Sequence, residues 1–239
     1  MPYLSLFYDR YYLLLVLPAV ILSIWAQIKV KSTFAKYSRV QNRRGLTGEE
    51  VARMLLKANR INDVAVEGVA GSLSDHYDPR EKVLRLSSPV GGKASIAAVG
   101  VAAHETGHAI QHARAWKPLG LRSALVPVAN LGSFAGPWLA IAGIVMQYPL
   151  LINIGIALFG AAVAFYLVTL PVEFDASRRA IALLRGSGVL SEDELKGVKK
   201  VLTAAALTYV ASALTALMSL LRLILLSRDR GGRGGARRG

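Results

Sequence analysis

ASIAAVGVAAHETGHAIQHARA, residues 94–115, holds His104, Glu105 and His108 in the pattern H-E-x-x-H. On a helix the i, i+4 spacing sets two imidazoles on one face, about 6 Å apart. Two neutral imidazole nitrogens so placed can each reach one zinc ion at roughly 2.0 to 2.1 Å. Glu105 stands beside the first of them, where it can hold a water and take its proton while the metal polarises a carbonyl. That is the chemistry of peptide-bond hydrolysis. The residues just before His104 read AAVGVAA, an apolar helical run, so the pair is expected on a buried helix and not on a solvated face.

The rest of the chain is apolar and basic at once: 53% of its 239 residues are hydrophobic, and the formal net charge is +14. Both features fit a membrane protein better than a soluble domain, because the apolar residues gather in bilayer-length runs with Lys and Arg at their ends. The basic balance therefore reads as membrane topology, and the lipid bilayer, not nucleic acid, is the expected partner. There is no cysteine. That excludes a disulfide framework and thiolate zinc ligands, leaving histidine and carboxylate as the metal donors.

Residues 11–28, YYLLLVLPAVILSIWAQI, are just long enough to cross roughly 30 Å of hydrocarbon. They read as an uncleaved anchor, since Asp9 offsets Arg10 ahead of them and no small-residue cleavage site follows. Lys29, Lys31, Lys36, Arg39, Arg43 and Arg44 come next and place this end of the helix in the cytoplasm, with the N-terminus outside. A water-soluble segment follows. Thr47 and Glu50 make a T-x-x-E capping box, and Val51, Leu55 and Ala58 give a helical stripe. Residues 64–69 alternate, while residues 72–77 and 83–87 flank the turn-forming Asp78-Pro79-Arg80-Glu81; together they predict a small hairpin or sheet beside the zinc helix. Ser88-Pro89-Val90-Gly91-Gly92 breaks the chain ahead of that helix.

Beyond Arg114 and Lys117, apolar runs at residues 121–146 and 150–172 predict a transmembrane hairpin, its uncharged tip outside and its basic ends inside. Residues after Val172 thereby return to the membrane face of His104 and His108. Ser191 and Glu194 cap a last helix, whose apolar run at 201–226 is interrupted only by Arg222 and either spans the membrane or lies on the cytoplasmic leaflet. The expected plan is an anchor at 1–30, a cytoplasmic catalytic segment at 31–118, a transmembrane hairpin at 119–172, a third-ligand helix and linker at 173–200, a fourth apolar helix at 201–226 and an unfolded basic tail at 227–239. The fold class is mainly α: an integral membrane protein with three or four transmembrane helices, an H-E-x-x-H helix and a small β-hairpin or sheet beside it.

A catalytic zinc takes a third protein donor and keeps its fourth position open. His112 lies at i+8 from His104, about 12 Å along a straight helix, too far to share the ion. Glu173, in LPVEFDASRRA, sits at the membrane face that carries the zinc helix, where an unpartnered acid is costly. It is the preferred ligand. Asp175 is the fallback, and otherwise pairs with Arg178 or Arg179.

HETGHAIQH, LPVEFDASRRA and SDHYDP, with membrane segments between the first two, closely resemble the YugP-like family of neutral zinc metallopeptidases, integral membrane proteins of prokaryotes. The resemblance covers nearly the whole chain up to about Leu226. The layout is also similar to that of the HtpX and CAAX-prenyl membrane proteases, whose H-E-x-x-H helix is completed by the glutamate of an E-x-x-x-D motif. The resemblance implies Glu173 as the third ligand of one zinc ion, in a gluzincin-type membrane peptidase that acts on protein or peptide substrates; the charge pattern puts its site on the cytoplasmic side of the cytoplasmic membrane. Ser177 stands where the wider group has the aspartate, so orienting a histidine ligand falls to Asp175 or Ser177. The wider group also pairs substrate with an edge strand ahead of the zinc helix. Here that is the segment at 73–77, with His76 or Tyr77 near the oxyanion. Two rival readings are an intramembrane site-2-type protease and a non-catalytic scaffold stabilised by zinc. The polarity of residues 104–117 opposes the first, and Glu105 the second, since a purely structural site has no use for an acid beside its ligands.

Overall fold

The computed structural model describes residues 9–235, with side chains described through Asp229. A π-helical turn at Tyr12–Val16 leads into α1 (Leu17–Ser38), followed by α2 (Gly48–Ala58), β1 (Ala65–Val69), β2 (His76–Asp78), β3 (Val83–Ser87), α3 (Ser88–Gly91), α4 (Ile96–Ala113), α5 (Lys117–Met146), α6 (Pro149–Gly186) and α7 (Glu192–Gly235). The fold is thus mainly helical with one small sheet, as the sequence predicts. Among the described residues, four helices are long and apolar enough to cross a membrane: Tyr12–Ser38, Lys117–Met146, Pro149–Gly186 and Glu192–Asp229.

One compact unit takes Ala26–Gly120 and Pro171–Leu207. Its central element is α4, the H-E-x-x-H helix. Ser95 starts it, the hydroxyl accepting the Ala98 N–H at 3.1 Å. Two cores then bury it from different sides. Val99 and Ala103 pack with Val51 and Leu55 of α2, Leu184 of α6 and Val198 of α7, while Ala102, Ala109 and Ile110 pack with Leu56 of α2 and with Val66, Leu84 and Leu86 of the sheet. The apolar run before His104 has found the cover it requires. Thr47 and Glu50 close the expected capping box at α2, the glutamate accepting the Thr47 N–H at 2.8 Å. The same device starts α7, where Ser191 N–H and Oγ donate to Glu194 at 2.7 and 2.8 Å.

The strand order is β1-β3-β2, with β1 parallel and β2 antiparallel to β3. β2 is shorter than the predicted stretch at 72–77. Asp75 accepts the Ser87 N–H at 2.7 Å, which takes the donor a longer strand would need, and Leu73 has a φ of 59°.

The second unit takes Met1–Trp25, Leu121–Leu170 and Thr208–Gly239. Small residues set its helix packing: a Cβ on Gly155 would run into the backbone of Ala140, and one on Gly132 into the carbonyl of Leu158. Close backbone approach of this kind is how apolar helices associate where lipid removes the hydrophobic drive. Arg222, the charge that interrupts the last apolar run, bonds Asp9 through Nη2 and Oδ2 at 2.7 Å, and each side chain is 12% exposed. Its guanidinium also lies 5.5 Å over the Tyr12 ring. Such pairing is what allows a charge in an apolar segment. α5 turns into α6 at Gln147, with a φ of 54°, at the expected hairpin tip. α6 runs from the third apolar run through Pro171 to Gly186 without a break, so the helix expected to carry the third ligand from residue 173 is its continuation. α7 likewise carries on to Gly235, into the tail expected to be unfolded; residues 236–239 of that tail, and 1–8 of the anchor segment, lie outside the described residues.

Candidate metal centre

His104 and His108 leave the same face of α4, their ring centroids 4.8 Å apart and their planes at 86°. Glu173 of α6 meets them. Its Oε2 lies 3.2 Å from His104 Nε2 and 3.6 Å from His108 Nε2, and one ligand atom from each of the three residues lies within 4.8 Å of the others. Donors bound at roughly 2.0 to 2.1 Å around a tetrahedral zinc stand about 3.4 Å apart, a value the two spacings bracket. Two imidazoles and a carboxylate are also a donor set that zinc takes in catalytic sites. Among the described residues, no other group of His, Asp or Glu side chains converges in this way.

Gly107 makes the meeting of α4 and α6 possible. A methyl group there would lie 2.8 Å from the Ala176 carbonyl oxygen and 3.2 Å from its Cα, backbone that cannot swing aside. Gly107→Ala is therefore expected to force the two helices apart, at a cost of about 1 to 3 kcal/mol, and to loosen the donor cluster with them. A thermal melt in detergent with zinc counted alongside checks this; an unchanged melting temperature and full zinc content would show that the contact has slack.

The ring nitrogens that face away from the cluster are both engaged. His104 Nδ1 lies 3.1 Å from Ser177 Oγ, so of the two candidates to orient a histidine it is Ser177 that touches this ring. His108 Nδ1 lies 3.0 Å from Gln111 Oε1. Gln111 is fully buried, and its amide nitrogen donates to the Val172 carbonyl at 2.9 Å and to Asp175 Oδ2 at 2.8 Å. Asp175 accepts in turn from Arg179 Nε at 2.5 Å, the arginine pairing expected of it. Sequence reasoning passes over Gln111 because an amide is not among the usual donors to zinc. The available signal is a polar side chain three residues after His108 on a helix whose surroundings are apolar, where it must find partners.

Glu105 is 8% exposed and stays outside the converging donors. His112 turns to the sheet, its Nδ1 2.7 Å from the Tyr77 hydroxyl. Burial, with the nearby charges of Asp63 and Asp78, pushes the Tyr77 phenol up to about 12, so it keeps its proton at neutral pH. His76 is exposed and its Nδ1 bonds the Ser74 carbonyl at 2.8 Å. Successive strand residues point to opposite faces, and Tyr77 occupies the one toward α4. Of the two residues expected near the oxyanion, Tyr77 is the one that packs toward α4, while His76 lies on the exposed side of the strand.

The profile of the family described as "Putative neutral zinc metallopeptidase" matches residues 12–228. The chain belongs to this family. The match contains every residue of the cluster together with Gln111, Ser177 and Asp175. "Putative membrane protease YugP" of Bacillus subtilis (strain 168) is 49% identical over 215 residues, covering 90% of this chain and 96% of that protein. No solved structure matches the chain. Family membership and the four apolar helices agree with the resemblance drawn from HETGHAIQH and LPVEFDASRRA, that of a membrane zinc metallopeptidase.

Proposed function

We propose that this member of the zinc metallopeptidase family is a gluzincin-type endopeptidase of a prokaryotic cytoplasmic membrane, holding one zinc ion on His104, His108 and Glu173 with Glu105 as general base. The observation that carries the reading is the convergence of two Nε2 atoms and Glu173 Oε2 at 3.2 and 3.6 Å. Bound there, zinc would polarise the scissile carbonyl and acidify a water at neutral pH. Glu105 takes the proton of the attacking water and returns it to the leaving amine. With His112 donating from Nδ1 to its oxygen, Tyr77 has its own proton free to donate to the oxygen that gains charge. β2 is an edge strand, and its outer side suits an extended protein or peptide substrate that adds as a further strand.

Sidedness follows from charge. Lys29, Lys31, Lys36, Arg39, Arg43, Arg44, Arg178, Arg179 and Arg185 all fall in the unit that holds the donors, and such a basic face belongs in the cytoplasm. Cleavage within the bilayer fits less well, because α4 is not among the helices long and apolar enough to span it. A zinc kept for stability alone would leave Glu105 without a task. The reading is tested by metal removal. Stripping the purified protein with a chelator is expected to abolish cleavage of an unfolded soluble protein, and one equivalent of zinc to restore it. Cleavage that survives complete removal of metal would sink the reading.

A further inference from the structure

The carboxamide of Gln111 has a donor end and an acceptor end, and its surroundings do not allow them to be exchanged. The Val172 carbonyl and the Asp175 carboxylate, 2.9 and 2.8 Å away, can only accept, so the NH2 must face them. Arg179, bonded to the same Asp175 oxygen, holds that acceptor in place. Oε1 is then left against His108 Nδ1 at 3.0 Å. An oxygen there requires the hydrogen to sit on Nδ1, which puts the lone pair of a neutral imidazole on Nε2. Nε2 is the atom that points at Glu173 Oε2. The bonded carbonyl, moreover, belongs to Val172, the residue immediately before Glu173. One amide thus reaches a histidine donor on one helix and the backbone of the carboxylate donor on another.

We infer that Gln111 is a positioning residue for the metal: it fixes His108 as its Nδ1–H tautomer and ties Glu173 to α4 at the distance the ion needs. This rests on the zinc reading above and extends it to a residue that touches neither metal nor substrate. Gln111→Met keeps the volume and removes all three bonds. The variant is expected to fold and to bind zinc about 10- to 100-fold more weakly in competition with a chromophoric chelator. The visible spectrum of the cobalt(II) form should change with it, because the donor geometry does. Thr106→Val is the packing control, equally buried on α4, with its hydroxyl bonded to the Ala102 carbonyl of the same helix at 2.8 Å; it should match wild type in both measurements.

A charge swap keeps size and polarity and so does not depend on how well Gln111→Met folds. Gln111→Glu alone sets two carboxylates against each other and should weaken zinc binding. Adding Asp175→Asn restores a donor facing an acceptor at that one bond with the roles reversed, while the Val172 carbonyl still meets an acceptor, so the double variant should recover part of the affinity, which a filler of space would not do. Wild-type zinc affinity in Gln111→Met, or a double variant as weak as Gln111→Glu, overturns the role of Gln111. A wild type that binds no zinc in the same titration overturns the metal reading itself, and the inference with it.

Discussion

Glu173→Ala is expected to lower zinc affinity by more than about 100-fold, beyond the 10- to 100-fold typical of losing a partner that only orients a ligand. Glu173 is 2% exposed and is the sole carboxylate of the converging group. Without it two imidazoles remain, fewer than the three protein ligands a catalytic zinc takes. The effect is legible in thermal stability, since a ligand that binds only the folded state adds RT ln(1 + [L]/Kd). Zinc should raise the melting temperature of the wild type and leave that of the variant where it was. The zinc-free variant should itself melt below the zinc-free wild type, because it loses a buried carboxylate bonded to both histidines and leaves a void, so each protein is referred to its own zinc-free melt. Equal zinc-induced shifts would remove Glu173 from the ligand set.

Glu105→Gln is expected to act on the other half of the site, reducing kcat by about 10²- to 10⁴-fold with zinc content and melting temperature unchanged. Glutamine has the size of glutamate and cannot take a proton from water. Glu105 lies outside the converging donors, so zinc has no reason to leave. The pair of variants therefore separates holding the metal from using it: one loses zinc and activity together, the other activity alone. Turnover close to wild type in zinc-loaded Glu105→Gln would assign the base to another group.

The zinc helix was legible in the sequence because its two signals coincide in one stretch: the i, i+4 histidines and the apolar run that demands burial. Glu173 was reachable by a longer route, through the hairpin that returns the chain to the same membrane face. Gln111 was not, since its partners Val172 and Asp175 stand 61 and 64 residues away and nothing local announces them. The strand ahead of the zinc helix shows the limit most sharply. Its presence follows from the turn it flanks, but a shift of one residue exchanges the two faces, so the sequence leaves His76 and Tyr77 both open. The task of Gly107 shows only in the approach of Ala176. The single helix α6 was not legible, because the change from apolar to charged residues at Glu173 reads as a boundary while tertiary contacts carry the helix across it: Ala180 and Leu184, beyond Pro171, are buried in the core around α4.

The most direct measurement is the identification by mass spectrometry of bonds cut in an unfolded soluble protein, incubated with zinc-loaded wild type and, in parallel, with Glu105→Gln loaded to the same zinc content. Internal peptide bonds are expected to be hydrolysed by the wild type and to remain intact with the variant. An intact substrate in both incubations, or the same cuts in both, would contradict a zinc endopeptidase built on His104, Glu105, His108 and Glu173.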